Sequence, residues 1–356
     1  MAQTTDIQTK PTTILTGFLG AGKTTYLNYV LENNPDIRYA IIENEYGEQS
    51  IDSDLIIRAE DGIVELNNGC LCCTLNENLY DILNTLFDRR DEYDEIIVEA
   101  TGVADPTGLA EPFIVHPAIK KQFPLSNIIC MVDAELILDQ LEETTEAMSQ
   151  VTFSDTLLIN KTDLVSEVYL QELKVTLQKL NPLAKIVFGK KGDYPPLEAA
   201  EQTALFDELH AKKSHGHKHD DHHHHHDHDH HHNGEGGFPV NKPHHHHHHH
   251  HTEEVVSHTF VFDRPFNYSM LCHQLFAYLT FQSRGLYRMK GLICLDDSDQ
   301  QHVIQSVGKR LDVSEKRPWK YNEKRQSIIV FIGRKIKREG LERMLNRCIA
   351  KHSTAG

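Results

Sequence analysis

The chain has 356 residues, with 36 Lys and Arg against 52 Asp and Glu, for a formal net charge of −16 with its 26 His neutral. That balance excludes a general nucleic-acid binder, which needs clustered cations against phosphate. No apolar run is long enough to span a bilayer, and the polar start, Met1 to Pro11, lacks the apolar core of a signal peptide.

The first candidate strand, Thr13–Leu15, runs into Gly17-Phe18-Leu19-Gly20-Ala21-Gly22-Lys23-Thr24-Thr25, and a helical pattern over Thr24–Leu31 follows. This is a G-x-x-x-x-G-K-T phosphate loop in strand–loop–helix context. Gly17, Gly20 and Gly22 let backbone amides turn onto phosphates. Lys23 supplies positive charge, and the Thr24 hydroxyl is a ligand for Mg²⁺. The second strand, Tyr39–Ile42, leads into Glu43-Asn44-Glu45-Tyr46-Gly47-Glu48. Alone this is a solvated acidic loop; beside a thiol cluster it offers carboxylate ligands. The cluster comes next, in Gly69-Cys70-Leu71-Cys72-Cys73. Three thiols so close suit a soft or borderline cation such as Zn²⁺, Co²⁺ or Cu⁺. Three thiolates leave a fourth position open, which fits a cargo or regulatory site better than a closed structural one. Core packing or a redox pair are the plainer alternatives.

A helix is expected over Leu75–Phe87, then a strand over Glu95–Val98 that ends in Glu99-Ala100-Thr101-Gly102. Behind a phosphate loop, Glu99 stands for the acid near the Mg²⁺ shell, and the Gly102 amide is free to approach a γ-phosphate. Asn127–Val132 is the next strand and Ala134–Leu141 a helix. The strand Thr156–Ile159 delivers Asn160-Lys161-Thr162-Asp163, an N-K-x-D turn. Asp163 accepts two hydrogen bonds from guanine, and the Lys161 stem lies against the base. Adenine lacks that donor pair, so the turn selects GTP over ATP. A helix over Glu167–Leu180 and a strand over Lys185–Phe188 complete an α/β pattern with a mostly parallel sheet covered on both faces.

From His215 to His232 there are twelve His, and His244–His251 adds eight. With no apolar periodicity, the stretch reads as a disordered linker. Its position between folded-looking sequences argues against an expression tag. Neutral imidazoles favour metal binding over an inert spacer. Beyond it, strands at Val255–Phe262, Gly291–Leu295 and Ser327–Ile332 and helices at Tyr268–Phe281 and Leu341–Ile349 suggest a small α+β domain. Cys272, Cys294 and Cys348 lie among apolar residues and read as core. The expected division is a polar tail over 1–10, a P-loop GTPase domain over 11–210, the His-rich linker over 211–253 and the C-terminal domain over 254–352. Seven Cys, an odd number, fit reduced thiols in the cytoplasm better than a disulfide framework.

These motifs together resemble the CobW / nitrile-hydratase-activator family of P-loop GTPases, and most of all its zinc-regulated GTPase metallochaperones. The phosphate loop, the acidic loop, the C-x-C-C, Glu99-Ala100-Thr101-Gly102-Val103-Ala104-Asp105-Pro106 and the N-K-x-D turn carry the likeness. Arg288-Met289-Lys290-Gly291 and Phe331-Ile332-Gly333-Arg334 extend it to the C-terminal domain. The resemblance implies a weak, Mg²⁺-dependent GTPase that loads Zn²⁺ into a client metalloprotein. It further implies Cys70, Cys72 and Cys73 as metal ligands, joined in some relatives by the acids matching Glu43 and Glu48. His-rich inserts recur in that family. The polar amino-terminal tail shows no Cys-Pro-type client-docking motif, which leaves the client open, and the oligomeric state is equally open. Cobalt or nickel insertion by the same machinery, or a His-rich metal buffer, are the competing functions.

Overall fold

The computed structural model describes residues 9–43, 55–59, 62–66, 75–195 and 255–350. Side chains of residues 43, 55–59, 62–66 and 75–78 fall outside that description. The first sheet contains β1 (Thr12–Gly17), β2 (Tyr39–Glu43), β3 (Leu55–Ala59), β4 (Gly62–Leu66), β5 (Glu95–Glu99), β6 (Leu125–Asp133), β7 (Thr156–Asn160) and β8 (Lys185–Phe188). In space they lie in the order β4-β3-β2-β5-β1-β6-β7-β8. β2, β5, β1, β6, β7 and β8 run parallel. β3 and β4 form an antiparallel hairpin on the β2 edge.

Near-continuous apolar strands make this sheet, because both of its faces are buried. Ile14, Ile42, Ile96 and Val98 face α2 (Leu75–Asp88) and α3 (Pro106–Val115) through Leu79, Leu83, Leu109 and Phe113. Their neighbours Leu15, Ile41 and Ile97 pack with Tyr26 and Leu27 of α1 (Lys23–Asn33). Alternate residues thus serve opposite faces, as the strand period requires. Farther along, Cys130, Val132, Leu157 and Ile159 meet α5 (Ile137–Glu143), α6 (Thr145–Phe153) and α7 (Glu167–Leu180). A short helix, α4 (Pro117–Gln122), precedes β6.

The second sheet is antiparallel throughout, with β9 (Val255–Phe262), β10 (Leu286–Ile293), β11 (Gln300–Val307), β12 (Arg310–Pro318) and β13 (Ser327–Arg334) ordered β12-β11-β10-β13-β9. One face packs under α8 (Tyr268–Phe281) and α9 (Arg338–Arg347) through Leu271, Leu275, Leu341 and Leu345.

The two sheets' domains share a core. Val307 of β11 joins the cluster of Leu109 and Phe113, and Leu183 packs with Leu292, Val330 and Ile332. A buried ion triad lies in the same junction. Asp155, just before β7, accepts from Arg288 at 2.6 Å and Lys290 at 2.8 Å, and all three side chains are nearly out of water. Burial disfavours the Asp155 charge, but the two cations outweigh it and hold the carboxyl down to about 2. Burial pushes Lys290 down to about 8 against the pull of Asp155. Outside the core, Glu111 of α3 pairs with Arg310 and Lys120 of α4 with Asp312.

Several elements differ from the sequence expectation. The β3–β4 hairpin, α3, α4, α6, β11 and β12 were not anticipated. Pro106 and Pro117 disguise α3 and α4, although both occupy the first helical turn, where a missing N–H costs nothing. The strand expected at Gly291–Leu295 is Leu286–Ile293. Arg288 and Lys290 hide its start, because buried charges read as surface until their partner is known. Cys294 and Cys348 are core residues as expected, whereas Cys272 is only half-buried.

Candidate functional site

The carboxyl ends of β1, β5, β6 and β7 all meet at one edge of the parallel sheet, where the strand directions bring their loops together. After β1, Gly17, Gly20 and Gly22 take φ values of 137°, 78° and 102°. Such left-handed backbone is accessible to glycine at little cost. Lys23 opens α1 and is buried; its Nζ donates to the carbonyls of Gly17 at 2.9 Å and Phe18 at 3.4 Å. Burial lowers its pKa, while the Glu99 charge opposes that shift. Thr24 and Thr25 follow on the exposed side of the same turn.

Thr24 donates its hydroxyl hydrogen to Glu99 Oε1 at 3.0 Å, joining the phosphate loop to the end of β5. The register sets Glu43 opposite Glu99 at the end of neighbouring β2. Gly102 lies against the loop itself: a Cβ there would sit 2.7 Å from both the N and the Cα of Leu19. Only glycine allows that approach.

The N-K-x-D turn is fixed from three sides. Asn160 is buried at the end of β7 and donates from Nδ2 to the Ala21 carbonyl at 2.9 Å. Lys161 adopts a left-handed conformation, φ 60°, and its Nζ reaches Asp133 Oδ2 at 2.6 Å. Thr162 donates to the Gly189 carbonyl at 3.1 Å, just past β8. Asp163 is exposed, and among the described residues its carboxylate has no hydrogen bond or ion pair. It is therefore available to a ligand.

The structure thus brings together Gly17, Gly20, Gly22, Lys23, Thr24, Glu99, Gly102, Asn160 and Lys161 by direct contact or loop continuity, with Asp163 beside them. Two participants escaped the sequence reading. Asp133 ends an apolar strand as Glu99 does, and that shared signal was available. Gln150 of α6 gave no such signal. It donates to the Gly102 carbonyl at 3.2 Å and the Ala104 carbonyl at 3.1 Å, bracing the loop after β5.

Cys70, Cys72, Cys73, Glu48 and the His tract lie outside the described residues, as does the side chain of Glu43. Among the described residues no group of three metal-ligating side chains occurs. Burial disfavours the thiolate at every described cysteine: it pushes Cys130 up to about 12 and Cys348 up to about 11, and raises Cys272 and Cys294. No described helix is long and apolar enough to cross a membrane.

A phosphate loop closing on a buried lysine at the head of a parallel sheet defines the class of P-loop nucleotide-binding proteins. The chain belongs to the CobW/HypB/UreG family, whose nucleotide-binding domain matches residues 11–188, while the cobalamin synthesis protein cobW C-terminal domain matches residues 255–349. It is 30% identical over 325 residues to the zinc chaperone YjiA of Escherichia coli K12, covering 90% of this chain and 93% of that protein. It is 36% identical over 194 residues to zinc-regulated GTPase metalloprotein activator 1 of Schizosaccharomyces pombe, covering 51% and 47% of the two chains. The crystal structure of Zn(II)-bound YjiA GTPase from E. coli superposes with a TM-score of 0.65 at 27% identity, over 96% of this chain and 99% of that one.

Proposed function

We propose that this protein is a GTP-hydrolysing metallochaperone that takes up Zn²⁺ at a C-x-C-C site and passes it to a client metalloprotein. The observation that carries the reading is the convergence of Lys23, Thr24, Glu99, Gly102 and the N-K-x-D turn on one sheet edge. Phosphate oxygens exchange with the loop carbonyls as partners of the Lys23 ammonium. Asp163 reads the guanine edge and Asn160 holds the turn to the phosphate loop. Thr24 and Glu99 present hard oxygens 3.0 Å apart, a donor set suited to Mg²⁺, which when bound neutralises phosphate charge. Hydrolysis then rests on positioning and charge stabilisation, and no side chain needs to act as a strong base.

Cys70, Cys72 and Cys73 hold the cargo in this reading, with Glu43 and Glu48 as supplementary ligands. The strand register supports it. Leu66 aligns through Leu55 with Ile42, and Ile42 with Val98. The chain therefore leaves β4 toward the thiols at the same edge where β5 ends in Glu99. Names of the relatives point to zinc as the metal.

Two experiments test this reading. Gly102→Ala forces a Cβ against the phosphate loop, and overpacking of that kind costs about 1–3 kcal/mol, or roughly five- to 150-fold in rate if met in the transition state. GTP turnover should fall within that range; an unchanged rate would remove Gly102 from the site. The second measures Zn²⁺ affinity by chelator competition with GDP and with a non-hydrolysable GTP analogue. The GTP form should bind about tenfold tighter, a coupling of about 1.4 kcal/mol that requires Zn²⁺ to favour GTP over GDP by the same factor. Equal affinities would mean that hydrolysis does not drive delivery.

A further inference from the structure

The charge of this chain is unevenly distributed. Residues 255–350 contain 17 Lys and Arg against 9 Asp and Glu, leaving 19 basic against 43 acidic residues elsewhere. The basic excess gathers on one cleft of about 460 Å³ between α8, α9 and the turn that joins β13 to α9. Arg284, Lys335, Lys337, Arg343 and Arg347 line it, and no Asp or Glu does. Arg284, Lys337, Arg343 and Arg347 have no ion pair among the described residues. Like charges this close repel, so the arrangement is held against its own electrostatics.

Two further features mark the cleft. Its floor is apolar, built from Ala277, Tyr278, Ile336, Leu341 and Met344. At its mouth Phe281 stands 81% exposed, more than the other exposed apolar residues of its helix, Tyr268, Met270 and Phe276, while Leu271, Leu275 and Leu279 of that helix are buried. Lys335, on the rim, is held at φ 57°, a conformation that costs a non-glycine residue free energy and persists where the surroundings impose it.

We infer that this cleft is a docking site for an acidic, partly apolar segment of a partner protein. Carboxylates would meet the cationic rim, and one aromatic or branched side chain would settle beside Phe281 on the apolar floor. Buried anchors supply most of such affinity and the charges supply selection and speed. The inference goes beyond the nucleotide and metal reading and does not depend on it. A nucleic acid is disfavoured, because the cations ring a short apolar cleft and do not track along a stripe.

The full-length protein is titrated against a fluorescein-labelled ten-residue peptide of Asp and Glu with a central Phe and Leu, read by anisotropy. The same peptide with Lys in place of its acids and a single-stranded oligonucleotide serve as comparisons. The acidic peptide should bind, weaken with added salt, and lose about tenfold or more affinity in Lys337→Glu/Arg343→Glu. Phe281→Ser should also weaken it. Lys309→Glu, an exposed cation outside the cleft, should not, and all three variants should keep the parent's melting temperature and GTP turnover. Absence of binding, equal loss in Lys309→Glu, or tighter binding of the oligonucleotide through the same cations would each overturn the inference.

Discussion

Replacing Asp155 by asparagine should remove about 3–5 kcal/mol of stability, as breaking one side of a buried ion cluster generally does. The substitution leaves the Arg288 and Lys290 cations in the domain junction with their counter-charge gone, each only a few per cent exposed. Urea unfolding of the full chain measures the loss. The cost arises from stranded charge, so removing all three charges together should largely restore stability. Asp155→Leu with Arg288→Met and Lys290→Met should come within about 1–2 kcal/mol of the parent. A triple variant as weak as Asp155→Asn would show that the cluster does more than cancel its own burial. The acid limb gives an independent reading. Asp155 titrates at about 2 in the folded protein against 3.8 for a free carboxyl, so its stabilisation is complete above pH 3.8 and is lost as pH falls toward 2. Asp155→Asn should lack that segment of the pH dependence.

Asp163→Asn should lower GTP affinity by about 100-fold or more, because a site built to bond a donor pair rejects its loss strongly. Xanthosine triphosphate should gain in the same variant, since the amide offers a donor where the carboxylate offered none. The substitution is clean in structural terms. Asp163 is exposed and without side-chain partners among the described residues, while the turn is held by Asn160, Lys161 and Thr162. Competitive binding of GTP, ATP and xanthosine triphosphate decides the matter; parent protein that binds ATP and GTP equally would remove the guanine assignment altogether.

The parallel sheet was legible because each of its central strands is a run of apolar residues that closes on a chemically distinctive turn. Ile14-Leu15 before the glycines, Ile96–Val98 before Glu99 and Leu157–Ile159 before Asn160 combine both signals. The hairpin strands Leu55–Ala59 and Gly62–Leu66 are only five residues each and are interrupted by Arg58 and Glu65, while Arg310–Pro318 alternates apolar with polar residues only as far as Val313, so both are easily lost between stronger signals. What lay beyond the sequence were pairings across long separations. Asp155 with Arg288 and Lys290, Lys161 with Asp133, and Gln150 with Gly102 are meaningful only once the chain has folded back on itself.

Direct packing between the two domains has a consequence for how this chain can change over time. Val307, Leu183 and the Asp155 cluster hold the domains together by side-chain contact, whatever connects Pro195 to Val255. Closing a connection costs entropy that grows only logarithmically with its length, about 0.6 kcal/mol for each doubling. The junction contacts named above involve none of the 59 residues between those two ends, so a change in their number bears on the junction only through this small entropic cost. A change in the number of residues there and a change in the packed junction are thus separate events, each tolerated or rejected on its own.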